Sequence, residues 1–266
     1  MLDLFNTPTP QNCNFQEFYG NIGSSNQRFR WEKPRGCSMV RFLLIGGGGG
    51  GGSATGGRAG GGSGSITSLI IPAMFVPDNL LIVAGNGGLS GNSGVASTVQ
   101  FYFTSSTVIT LLTASAGGAG TTTGGSGGAA SSAGVFGSAG IYRSTAGQAG
   151  AIADTAITAL TTIPLTGGAG GASVNGTAGG TVTPNYGYPI VTSSLSKASN
   201  GYFQYSPILL GTGGAGGASP STSGNGLAGG DGGIGCGGGG GGALNTSGTN
   251  GSGGKGGSGA VFIWSW

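Results

Sequence analysis

Few side chains in this sequence are of the types that carry out chemistry. Its 266 residues include six Asp and Glu, nine Lys and Arg, three Cys and no His. Without His, neither a serine–histidine–aspartate triad nor an imidazole metal site can form, and the six acids are too scattered for paired acid–base catalysis. We therefore expect a protein that is not an enzyme and that needs no metal or cofactor.

The three cysteines, Cys13, Cys37 and Cys236, do not change this expectation. Three thiols cannot by themselves build a disulfide scaffold or a four-thiolate zinc site. Free cysteine is among the most buried residue types, so the sequence favours buried thiols at these positions.

An aromatic segment is the strongest candidate for recognition. Residues 181–210 contain only two glycines, and four of the seven tyrosines fall within 20 residues of this stretch. Tyrosine offers contact area at little entropic cost and a hydroxyl for polar bonds, so it is enriched at binding surfaces. We predict an exposed receptor-binding surface formed by Tyr186, Tyr188, Tyr202, Phe203 and Tyr205. The alternative is that these rings cover the flank of a glycine-rich bundle.

Positive charge is concentrated near the start of the chain. Five of the nine basic residues are Arg28, Arg30, Lys33, Arg35 and Arg41. They could form an anion-binding patch, although such runs are more often a solvated strand face. With 6% charged residues and a net charge of +3, the chain lacks the dense basic footprint of a nucleic-acid-binding protein.

Glycine dominates the elements that must hold these residues. The chain has 67 glycines, and the uninterrupted run 46–52 excludes the strict triplet repeat of collagen. Because 36% of residues are hydrophobic and charge is scarce, we expect a folded chain. Consecutive glycines favour an extended helix with three residues per turn. Such helices can pack side by side and pair their backbone groups, so we expect the runs 46–52 and 237–242 to be ordered and packed.

The remaining segments predict strands. Apolar and β-branched stretches lie at 40–45, 66–71, 80–84, 95–112 and 259–264. No window has a convincing helical period, and residues 151–160 are only a weak helix candidate. The prediction is an all-β fold, with polyglycine II-type helices and almost no α-helix. One shared core is predicted for Trp31, Phe42, Leu44, Leu81, Val83, Phe262 and Trp264.

The sequence divides into two predicted regions. Residues 1–27 read as an N-terminal arm that could dock on a neighbour through its aromatic rings. Residues 28–266 form a glycine-rich β domain, in which 98–225 is a variable, insert-like region. No signal peptide and no apolar stretch long enough to cross a bilayer is visible, so we expect synthesis in a cytosol and no membrane insertion.

Several motifs are similar to a known family. They are WEKPRG at 31–36, VRFLLI at 40–45, the glycine run 46–52, the predicted strand 80–83 followed by GNGG at 85–88, and GGSGAVFIW at 256–264. This part of the chain resembles the glycine-rich domain of phage tail-fibre and spike proteins, which are adhesin-like virion proteins. Residues 98–225 match only in style, and Val76-Pro77-Asp78 stands where the family commonly has Pro-Gly.

The resemblance implies a β-sandwich-like base with glycine-rich rods, in a virion protein that often serves in host recognition. We expect a tail-fibre or spike protein that binds a host surface glycan or protein and contacts other virion proteins through its arm, with homo-oligomerisation possible. The alternative is a capsid or tail accessory protein that decorates the particle without receptor contact. An ice-binding protein is disfavoured, because the glycine blocks lack regular spacing.

Overall fold

The structure is a computed structural model that describes residues 14–23, 26–53, 58–102, 107–134, 136–184, 198–205 and 209–266. These residues contain thirteen β-strands, one 3-10 turn at Ala73–Phe75 and no α-helix. The prediction of an all-β fold is confirmed. The weak helix candidate at 151–160 instead contains a two-residue strand. In the described part of the chain, no helix is long and apolar enough to cross a membrane.

The larger sheet joins the two ends of the described chain. Its five antiparallel strands run in the order β1 (Asn14–Tyr19), β13 (Ala260–Ser265), β3 (Met39–Ile45), β4 (Ile66–Pro72) and β8 (Ile141–Thr145). Part of the predicted N-terminal arm therefore lies in the sheet as an edge strand. The last strand, β13, is inserted between β1 and β3, which closes the domain around its terminal segments.

A second, four-stranded sheet completes a sandwich. It consists of β2 (Gln27–Glu32), β5 (Asn79–Ala84), β6 (Ser97–Tyr102) and β7 (Val108–Ala114), all antiparallel. Two further pairs of two-residue strands lie in the glycine-rich region: β9 (Ile157–Thr158) with β10 (Val182–Thr183), and β11 (Phe203–Gln204) with β12 (Leu210–Gly211).

The core between the two sheets is made by alternate residues. Phe42 and Leu44 of β3 pack against Trp31, Leu80 and Ile82 of the facing sheet. Trp31 is only 1% exposed, and its ring meets that of Phe42 edge to face, with centroids 6.1 Å apart.

The prediction of one shared core is wrong, because the central strands of the larger sheet are buried on both faces. Phe262 and Trp264 belong to a second cluster on the opposite face, together with Leu43 and Ile45. Successive side chains of a strand point to opposite faces, so neighbours in one apolar run enter different cores. Leu81 and Val83 alternate with the core residues of β5, and neither joins the cluster between the sheets.

The glycine run 46–52 is a polyglycine II-type rod. The amides of Gly48, Gly49 and Gly50 donate to three different segments; the acceptors are the carbonyls of Gly257, Gly62 and Asn92, each at 2.9 Å. The amide of Gly51 returns to the first of these segments, at the carbonyl of Gly254 (2.8 Å). This period of three matches the three residues per turn of the polyglycine helix.

Six segments surround this rod. Besides the three acceptor segments, three others donate to it; their amides are those of Gly238, Gly120 and Gly88, which bond the carbonyls of Gly49, Gly50 and Gly48 at 2.9 Å, and a turn separates Gly88 from Asn92. The run 237–242 is packed in the same way, for example through Gly239 to the carbonyl of Gly230 (2.9 Å). The prediction that both runs are ordered and packed against other backbone is confirmed.

Cys236 lies where the rods meet the sheet. Its side chain is fully buried in the cluster that contains Leu43, Ile45, Leu165 and Phe262. Burial raises the pKa of the Cys236 thiol far above its usual range. Since the thiolate is the reactive form, this thiol is inert in the folded protein.

We therefore expect iodoacetamide to alkylate half-buried Cys37 but not Cys236 in the native protein at pH 8. In guanidinium chloride both should react, and mass spectrometry of the proteolytic peptides distinguishes them. Alkylation of native Cys236 at a rate near that of Cys37 would show that the junction of rods and sheet opens readily.

Candidate recognition groove

The outer face of the larger sheet, turned away from the sandwich core, places one residue of each strand side by side. The register aligns Phe15, Trp264 and Arg41 across β1, β13 and β3. Two residues further along the strands, on the same face, Ser68 of β4 stands opposite Arg143 of β8. Directly opposite residues of antiparallel strands share a face, so aromatic rings lie at one side of this face and an arginine at the other.

Stacked aromatic rings cover the β1 side. The ring of Phe15 lies 5.0 Å from that of Trp264, between centroids. Tyr205 stacks on both Phe262, at 5.0 Å, and Trp264, at 5.9 Å. Phe15 remains 43% exposed, so the stack reaches solvent. It forms a partly exposed aromatic platform of the kind that binds planar or apolar ligand faces.

Arg41 joins this platform to the rest of the face. Its guanidinium carbon lies 4.9 Å from the centre of the Trp264 ring, within the range of a cation–π interaction. Burial raises the pKa of Tyr205, the positive charge of Arg41 opposes this rise, and the carboxylate of Glu17 adds to it. Arg41 and Tyr205 are therefore close enough to influence one another electrostatically.

Tyr19 is tied to the same edge strand. Burial, followed by the hydrogen bond it donates to the Glu17 carboxylate (2.6 Å), raises the pKa of Tyr19 to about 12. The phenol stays protonated and the carboxylate stays engaged, so Glu17 is held within β1.

A groove of about 400 Å³ opens beside the platform. We call it the recognition groove; its polar lining is formed by Arg41, Ser68, Arg143, Thr145, Thr162 and Tyr205. Leu43, Ile66, Pro164 and Leu209 complete it. Its volume lies within the range of small-ligand sites. Two guanidinium groups, four hydroxyls and an apolar floor suit reversible binding of a polar ligand.

The predicted aromatic residues separate in the structure. Tyr205 lines the groove, and Phe203 packs in the apolar cluster of the same face. Tyr202 packs instead against a cluster within the rods, beside residues such as Val182. All three are partly buried. Tyr186 and Tyr188 lie outside the described residues.

The basic residues near the start of the chain fall into different places: Arg30, Lys33 and Arg35 line one pocket, and Arg41 lies apart from them. Arg30 pairs with Glu32 at 2.9 Å, and Lys33 pairs with Asp78 at 2.7 Å. Arg41 lies on the outer face of the other sheet, in the groove. These basic residues therefore do not form one patch.

Sequence reasoning missed Arg143 and the role of Trp264. Arg143 lies in the insert-like region, far along the chain from Arg41, and only β4 brings them together. Trp264 was assigned to a core. The alternation of Trp264 and Trp266 with Ile263 and Ser265 was the available signal, because it marks two distinct faces of β13.

The described residues offer no cluster of three or more Cys, Asp or Glu that could hold a metal ion. A search among curated protein sequences finds no match to the chain. The family model of a glycine-rich domain matches residues 24–265 and so covers the rods and every strand of the two sheets except β1. On this match the chain belongs to the glycine-rich domain family.

Proposed function

We propose that this chain is a virion fibre or spike protein that attaches to a host by binding a surface glycan in the recognition groove. The observation that supports this most strongly is the aromatic platform, which borders a groove lined by two arginines and four hydroxyls. Sugar rings pack on aromatic faces, and sugar hydroxyls need hydrogen-bonding partners of the kind that line this groove.

The glycine rods support an attachment role physically. Each rod is held by backbone hydrogen bonds on several sides, as the six neighbours of run 46–52 illustrate. A binding site on a rigid scaffold keeps its geometry and loses little entropy on binding. The resemblance of motifs at 31–52 and 256–264 to virion fibre proteins supplies the biological setting for the proposal.

The test is binding of the purified, fluorescently labelled chain to a printed array of bacterial surface polysaccharides. Replacing Tyr205 with Ser should weaken binding to the preferred glycan about tenfold, equivalent to one lost stacking contact. The matched control is Tyr102→Ser, since Tyr102 is exposed on the other sheet and lies outside the groove.

A second variant covers the case in which Tyr205→Ser perturbs the fold. Ser68 is half-buried in the lining of the groove, so Ser68→Phe should fill the groove and abolish binding with little change in the thermal midpoint. Attachment is rejected if no polysaccharide binds, and the accessory role, without receptor contact, would then be the better account. If Ser68→Phe binds as well as the parent, the recognition groove is not the binding site.

A further inference from the structure

We infer that the ligand of the recognition groove is an acidic saccharide, whose carboxylate or phosphate is held between Arg41 and Arg143. This inference rests on the proposed function and specifies the chemistry of its ligand. It is carried by the charge and placement of the groove's own side chains.

The two arginines flank the groove from different strands. Arg41 is on β3 and Arg143 on β8, with β4 and its Ser68 between them. Neighbouring strands lie about 4.8 Å apart, so the two backbones are about 10 Å apart across the sheet. Two long side chains can converge over such a gap on one anionic group, or can hold two groups of one oligosaccharide.

No acid balances this positive charge in the groove. Among the described residues, no carboxylate lines it, and neither arginine forms an ion pair. Glu17, the acid that β1 places on this face, accepts the hydrogen bond from Tyr19. A groove with two guanidinium groups and no carboxylate is complementary to an anion.

Arg41 is already positioned for this role. Its contact with Trp264 restrains the guanidinium, which at the same time lines the groove. Guanidinium groups bind carboxylates and phosphates in a bidentate manner, and restraint before binding lowers the entropic cost. Arg143 is exposed on an edge strand, so it can adjust to the ligand.

The rest of the lining selects a saccharide over a simple anion. The hydroxyls of Ser68, Thr145 and Thr162 can exchange hydrogen bonds with sugar hydroxyls. The ring of Tyr205 offers an aromatic surface beside them. An inorganic anion would use the arginines alone and leave these groups without partners.

Calorimetric titration with defined probes tests the inference. We expect trigalacturonic acid to bind the parent chain, and its neutral methyl ester to bind about tenfold more weakly or not at all. Glucose 6-phosphate tests phosphate as the anionic group. Binding should weaken as salt rises, because the attraction is between charges that solvent reaches.

Arg143→Gln should weaken trigalacturonate binding about tenfold or more, and Arg41→Gln should have a similar effect. Arg28→Gln is the control, because Arg28 is exposed on β2 of the other sheet, where it stands opposite Val83 of β5 in the strand register. Thermal unfolding should show that Arg143→Gln retains the parent's stability, since this side chain is exposed.

Three outcomes would overturn the inference. Equal binding of the neutral ester shows that charge is not recognised, and if Ser68→Phe still blocks that binding, glycan attachment itself survives. No binding of any saccharide, charged or neutral, removes both proposals. Binding of hexaglutamate as tightly as trigalacturonate, with the same loss in Arg143→Gln, identifies the ligand as an acidic peptide.

Discussion

Replacing Gly48 with alanine is expected to prevent stable folding. A β-carbon at this position would lie 1.9 Å from the carbonyl oxygen of Cys236 and 2.4 Å from its carbonyl carbon. Both are backbone atoms, so no side chain can rotate away. Relief requires that two rods separate, although each is held by its own hydrogen bonds, such as that from Gly48 to Gly257.

The expected loss in the free energy of unfolding is on the order of 4 kcal/mol or more, above the usual range for a single substitution. Overpacking among side chains commonly costs about 1–3 kcal/mol, and here the backbone itself must move. Guanidinium denaturation followed by tryptophan fluorescence measures the loss directly. A variant too unstable to purify as folded protein agrees with the same expectation.

Gly91→Ala is the matched control for this variant. Gly91 lies beside the same rod and donates to the carbonyl of Gly51, but a β-carbon there meets nothing within 4 Å. Its φ of +74° makes the substitution strained for conformational reasons only, at about 1–2 kcal/mol. If both variants lose the same stability, close backbone packing is not what requires glycine in the rods.

The existence of the rods could be predicted from the sequence, but their arrangement could not. A run of seven glycines favours an extended threefold helix and excludes side chains from its surroundings. Glycine carries no side chain to specify a neighbour, however, so nothing in the run 46–52 indicates that Gly49 bonds Gly62 and Gly238. The sheets and loops that hold the ends of each rod determine those partners.

The strands, like the rods, could be predicted from the sequence, but their packing could not. Apolar runs such as 40–45 predict strands well, and a continuous run already indicates burial on both faces. Side-chain alternation along β3 places Phe42 and Leu43 in different clusters, and which sheet or segment covers each face is decided by tertiary packing. The single predicted core failed because it grouped residues by apolar character and not by alternation.

The recognition groove could not be predicted from local sequence, because its residues lie far apart along the chain. Tyr205 was predicted from local enrichment in aromatic residues, but its partners came from both ends of the chain, as Phe15 and Trp264 show. The pairing of Arg41 with Arg143 requires the order β3, β4, β8. Strand order is not encoded in local periodicity, so only the structure could assemble this site.

Trp31→Ala is expected to be the most destabilising truncation of a side chain in the sandwich. The indole is 1% exposed and packs between the sheets against Phe42, which is fully buried. Removing a buried tryptophan leaves a cavity that the surrounding strands fill only in part. The expected loss in the free energy of unfolding is about 3–5 kcal/mol, measured by chemical denaturation.

Trp264→Ala is the control for this variant, because it shows how much stability is lost when a half-buried tryptophan is removed instead of a fully buried one. Trp264 is half-buried on the outer face, where it contacts Arg41 and Tyr205. Water can fill part of the space that the indole leaves. The truncation should therefore lower the free energy of unfolding by about 2 kcal/mol or less, through the lost ring and cation contacts. An equal or larger loss in Trp264→Ala would mean that the outer face, and not the space between the sheets, holds the principal core. In that case the aromatic platform would be structural, and a ligand-binding role for it would lose its physical basis.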